Sequence, residues 1–150
     1  MRFFLTGFVM AVFFLSPIFV PASFAQEESV KINATILVAS NDGTDYDLDN
    51  DAYRHELINL FSYSAYHQIR MVSLTLPRAE RVKVPLPENY ELILTLQGKE
   101  EKRVMVQAVI RKGQEQYVDT VLSILKPGVV FVGGPPTAVG AYIIVLETAF

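Results

Sequence analysis

Apolar and polar positions alternate through most of the chain beyond residue 28. From Val30 to Ser40, Ile32, Ala34, Ile36 and Val38 share one parity, and Leu37 and Ala39 make the other parity apolar near the end. A period of two marks a strand, and apolar residues on both faces place it in the interior of a sheet. Tyr66 to Leu76 reads as a second strand whose inward parity switches near Met71 and Val72, which predicts a bulge there. Val82, Val84 and Leu86 form a short alternating run that Pro85 and Pro87 confine to an edge or end. Tyr90, Leu92, Leu94 and Leu96 alternate, as do Val104, Val106, Ala108 and Ile110, and Gly98-Lys99-Glu100-Glu101 joins the two runs as a connector of hairpin length. Lys112-Gly113-Gln114 then turns into Tyr117 to Leu125, and Lys126-Pro127-Gly128 into Val129 to Val132. Gly133-Gly134-Pro135-Pro136 reads as a stiff break before a last strand, Ala141 to Thr148.

One stretch has a different period. Tyr53, Leu57, Leu60, Phe61 and Ser64 stand at offsets of four, seven, eight and eleven, an apolar stripe that predicts a helix over Asp51 to Ser62. The expected fold class is α+β: a predominantly antiparallel sheet or two-layer sandwich of about eight strands with a single helix lying on it. The first strand, the loop after it and the helix resemble the opening half of a βαβ unit.

The first 25 residues fall outside this pattern. Arg2 is followed by an apolar run from Phe3 to Val20, and Pro21-Ala22-Ser23-Phe24-Ala25 ends with small residues at the third-last and last positions. This is the layout of a secretory signal peptide cleaved after Ala25, followed by one domain over residues 26–150. The alternative, an uncleaved membrane anchor, conflicts with Pro17 and Pro21, which break the apolar helix where a cleavage region begins. The leader also accounts for a mean hydropathy of +0.28. Export implies a periplasmic or extracellular, envelope-associated location, with membrane contact only through an uncleaved leader.

Beyond the leader stand 12 basic residues against 16 acidic ones, a formal charge of −4, which argues against a nucleic-acid partner. There is no cysteine, so the exported domain has no disulfides, no thiol nucleophile and no thiolate metal site. Acid is concentrated in Asp42 to Glu56, where six carboxylates stand against Arg54.

Within that segment Asp45, Asp47, Asp49, Asp51 and Glu56 match positions one, three, five, seven and twelve of a twelve-residue calcium loop. Calcium is therefore the one candidate cofactor. Asn50 stands where the loop's sharp turn favours glycine, and a strand rather than a helix precedes it. The other reading is a solvated helix start, with Asp49, Asn50 or Asp51 as the cap and carboxylates favoured by the helix dipole. No catalytic constellation stands out. His55 and His67 are not spaced as zinc ligands, the serines lack a nucleophile elbow, and no glycine loop is laid out to cradle phosphate. Asn33-Ala34-Thr35 matches a glycosylation sequon inside a predicted strand.

The last third is apolar on both parities in places, through Val121, Leu122, Ile124, Leu125, Val129, Val130, Phe131 and Val132. Such strands are buried on both faces of a sandwich that covers itself, or present one face to a partner chain. Val130, Val132, Tyr142 and Ile144 are the candidate contact residues. Thr120 to Pro135 followed by Tyr142 to Glu147, together with Leu60 to Tyr66, resembles short exported bacterial proteins of unknown function that end in strand, Pro-Gly turn, strand, Gly-Gly, strand. The motifs that carry the resemblance are structural, and it brings no catalytic residue. The expected function is thus that of a non-catalytic exported protein, an accessory or assembly subunit that meets other protein subunits or itself. A calcium-dependent binding module and a small hydrolytic enzyme are the competing readings, the latter requiring a concave site with converging polar groups.

Overall fold

The computed structural model describes residues 28–47 and 52–148. Among them the chain forms β1 (Ser29–Ser40), α1 (Ala52–Leu60), β2 (Ala65–Pro77), β3 (Arg81–Pro85), β4 (Glu91–Lys99), β5 (Arg103–Lys112), β6 (Glu115–Leu125), β7 (Val129–Pro136) and β8 (Gly140–Thr148). A 3-10 turn at Pro87–Asn89 leads into β4. The expected leader over residues 1–25 lies outside the described residues.

The strands make two antiparallel sheets of four, ordered β2-β1-β8-β7 and β3-β4-β5-β6. Their facing surfaces carry the parity read from the sequence. Val30, Ile32, Ala34, Ile36, Ile144 and Leu146 of the first sheet meet Leu92, Leu94, Leu96, Val104, Val106 and Ile110 of the second in one buried cluster. Burying residues of this size stabilises by about 1.5–3 kcal/mol each, so this layer dominates the fold's stability.

The outer face of the first sheet holds a second, smaller core. Leu37 and Ala39 of β1, Ile143 and Val145 of β8 and Tyr66 of β2 are buried beneath Leu57 of α1, with Tyr46, Tyr53, Phe61 and Phe131 packed around them. One nine-residue helix covers only part of a sheet, and the aromatic rings complete the cover. Tyr53 meets Phe131 edge to face at 5.7 Å. The helix end is anchored by the Tyr66 hydroxyl, which donates to the carbonyls of Leu57 at 2.9 Å and Phe61 at 3.2 Å. Beyond the helix, the same face of β1 turns polar at Lys31, Asn33 and Thr35.

Several details differ from the expectations. On the helix, Tyr53, Leu57 and Phe61 pack on the sheet, whereas Leu60 is 61% exposed and Ser64 lies beyond the helix. The connection is not half of a βαβ unit, because β2 returns antiparallel beside β1. The cause is local: Ser64 N–H donates to Ser40 O and Asn41 Oδ1, and its hydroxyl donates to Gly43 O, so the chain re-enters where it left. The parity switch in β2 is real but falls earlier than Met71. Ile36 faces Arg70 and Leu37 faces Gln68, leaving Ile69 as the extra residue. Gly133-Gly134-Pro135-Pro136 is not a break but the end of β7, with a register shift between Gly133 and Pro136. An edge strand tolerates prolines there because their missing N–H groups face no neighbour.

Candidate functional site

Two surfaces qualify by chemistry, and the acidic segment comes first. Tyr46 bridges to Tyr66 in parallel, with Tyr66 N–H donating to Asp45 O at 2.9 Å and Asp47 N–H to Tyr66 O at 3.3 Å. The segment therefore runs along the first half of the β2 edge. The Asp47 carboxylate accepts a hydrogen bond from Gln68 N–H at 2.7 Å, and its second oxygen lies 3.3 Å from His67 Nδ1. The backbone donor, then the histidine, holds the Asp47 carboxyl below its ordinary value of 3.8. Asp45 is exposed nearby, Glu56 is exposed on α1, and Asp49 and Asp51 lie outside the described residues. Among the described residues no three histidine, aspartate or glutamate side chains gather as a metal-holding group. What the structure gives Asp45 and Asp47 directly is a role in sealing a strand edge, which alternate-position spacing alone does not reveal.

A folded-state pKa below the unfolded one means that Asp47 contributes stability above about pH 4, lost as the pH falls through the lower folded value. The carboxylate is 56% exposed, so solvent screening limits the effect. Asp47→Ala is expected to cost about 0.5–1 kcal/mol at pH 7 and progressively less as the pH falls below about 4, measured by urea unfolding across that range.

The second surface is the outer face of the second sheet. A polar ladder crosses it: Gln97 Nε2 donates to Gln107 Oε1 at 3.1 Å, Gln107 Nε2 to Asp119 Oδ1 at 2.9 Å, and Gln116 Nε2 to Asp119 Oδ2 at 3.2 Å. Beside it Glu91 joins Arg111 at 3.0 Å and Lys83 at 3.6 Å, and the Arg111 hydrogen bond leads in lowering the Glu91 pKa. Gln107, Arg111, Gln116 and Asp119 line, with Arg81 and Thr95, a shallow groove of about 190 Å³ that also takes in Ile93 and Val109. Toward the far end of β5 and β6 the face becomes apolar, with Met105 39%, Val121 52% and Leu125 55% exposed. Ser123 faces Met105 across the strands, between Val121 and Leu125. At the other end of β6, Tyr117 stacks edge to face on Tyr90 at 5.2 Å. Its hydroxyl donates to Glu115, which with Tyr90 pushes the phenol up to about 12.

The four residues expected to meet a partner are placed elsewhere. Val132 is 6%, Tyr142 4% and Ile144 0% exposed, all in the cluster between the sheets, and Val130 packs against that cluster. As residues of an open surface they are corrected: the apolar parity of β7 and β8 is absorbed by the second sheet on one face and by α1 with its aromatic rings on the other. The exposed apolar positions of β5 and β6 were not singled out. Their signal, Val121 and Leu125 on one parity, is ambiguous because Leu122 and Ile124 on the other are equally apolar.

Comparison with family models, with curated proteins and with solved structures finds no match. Among the described residues no helix is long and apolar enough to cross a membrane.

Proposed function

We propose that this chain is a non-catalytic exported protein, an accessory or assembly subunit of a periplasmic or envelope complex that acts through its surface. The observation that carries the reading is the apolar stretch Met105, Val121 and Leu125 beside the exposed edge of β6. Packing between the two sheets and under the helix leaves these side chains in water on a rigid sheet face. Exposed apolar groups next to an open strand edge are a liability for an isolated protein and an asset for one that pairs. The leader-like residues 1–25 supply the location.

The test is recovery of the tagged chain from its own host. The expected product begins near Gln26 by intact mass and is held in a complex that Val121→Lys with Leu125→Lys dissolves while leaving the fold intact. A chain retained with Met1 in the cytoplasm, or one that migrates alone whether or not the two lysines are present, overturns the proposal.

A further inference from the structure

Four strands bound the two sheets, and three of them carry a device against pairing, β2 along its first half only. The first half of β2 is covered by the Tyr46 bridge and a bulge at Ile69 follows. β3 has five residues and ends in Pro85. β7 ends in Gly133-Gly134-Pro135-Pro136. Short length, bulges and prolines are the devices by which natural sheets blunt their edges.

β6 is the exception. It is eleven residues long and contains no proline, and its irregularity against β5, at Tyr117, lies near its start, leaving residues 118–125 regular. Its one mid-strand charge does not guard the edge either, because both oxygens of Asp119 are drawn back over the sheet by Gln107 and Gln116.

We infer that β6 pairs antiparallel with β6 of a second copy about a twofold axis at Val121, joining the two second sheets into one continuous sheet. This rests on the assembly reading and names the partner. Symmetry restricts the register. Residues facing each other across a pair must point to the same side of the sheet, so a twofold axis must pass beside a residue that faces its own mate. Centring on Asp119 opposes two like charges, which is destabilising. Centring on Thr120 or Leu122 sets Asp119 against Val121 or Leu125. Centring on Ser123 shortens the regular overlap to residues 121–125. Centring on Val121 keeps residues 118–124 paired, sets exposed Val121 against itself and Asp119 against the hydroxyl of Ser123. It also brings Glu115, at the start of one strand, beside Lys126, just past the end of the other. Such a pair supplies roughly six to eight main-chain hydrogen bonds, within the range of a specific interface.

The absence of cysteine from the chain makes the register directly readable. In the purified full chain under mild oxidation, Val121→Cys is expected to give the covalent dimer as its main product. Ser123→Cys alone should form no covalent dimer, and Asp119→Cys mixed with Ser123→Cys should give the mixed covalent dimer. Val121→Lys should keep the wild-type melting temperature, since the site is half exposed, and lose the dimer in light scattering. Equal cross-linking at every position, or a wild type that stays monomeric at high concentration, overturns the inference. If the monomer instead carries a different protein that shields Val121→Cys from thiol labelling, the self-pairing is wrong and the assembly reading stands. If nothing shields that position and no second copy pairs there, both fail.

Discussion

Ile144→Asp is expected to leave little folded protein at pH 7. Ile144 is fully buried where β8 faces the second sheet. Losing its side chain from a packed core costs about 2–4 kcal/mol. The carboxyl must also either remain charged in an apolar layer or be held neutral, and holding it neutral three units above its ordinary pKa costs about 4 kcal/mol more. Together these consume most or all of the 5–15 kcal/mol that stabilises a typical domain. The sign of the pH dependence distinguishes this cause from simple cavity formation. With the folded pKa raised, the charge penalty is fully felt above it and fades as the pH falls toward the unfolded value near 4, so the variant should recover part of its stability there. Ile144→Val, which keeps the apolar contact, should cost only about 0.5–1.5 kcal/mol. Denaturant unfolding of the two variants at pH 7 and pH 4.5 makes the comparison. A folded, stable Ile144→Asp at pH 7 would show that this position is not enclosed between the sheets.

The second large effect is expected at Gly140→Ala. Gly140 opens β8 opposite Ser40, the last residue of β1. An added Cβ there would stand 1.9 Å from Ala39 O and 2.9 Å from Ala39 C. Both are main-chain atoms of a central strand and cannot swing aside as a flexible side chain would. Removing a glycine normally restricts the unfolded chain and stabilises by about 0.4–1 kcal/mol. Overpacking against backbone costs about 3 kcal/mol or more, so the steric term wins. A loss of that size lowers the melting temperature by roughly 10 °C in a domain of this length, read by calorimetry. Gly98→Ala is the matched control, since nothing lies within 4 Å of the Cβ it would carry.

The two central strands of each sheet explain how much was legible beforehand. In β4 and β5 the apolar residues at 92, 94, 96, 104, 106, 108 and 110 occupy one parity, and every one of them faces the other sheet. β1 was equally plain: its two apolar faces predicted an interior strand, and β2 and β8 flank it. Where both parities are apolar and the strand fits more than one place in the sheets, as in β6 to β8, the pattern named the right residues and left their outlet open. Val132, Tyr142 and Ile144 read as surface candidates because one helix is too small to cover them, yet the cover is a whole second sheet. The acidic run shows a different limit. Alternate aspartates fit cation ligation and strand-edge pairing alike, and the bond from Gln68 N–H to Asp47 depends on a residue 21 positions away.

By itself, then, the sequence determined the periods: eight alternating runs, one helical run and a leader-like start, together with the absence of thiol chemistry. Those are local properties, set by which side of a pleat or a helix each residue occupies. Only the tertiary structure decided the strand order, the antiparallel return of β2, the burial of β7 and β8 and the exposure of β6, because each depends on contacts between segments far apart in the chain. Side-chain parity records that a face is apolar. Which surface meets that face is settled when the sheets pack, and on β6 the packing ends with Val121 and Leu125 still in water.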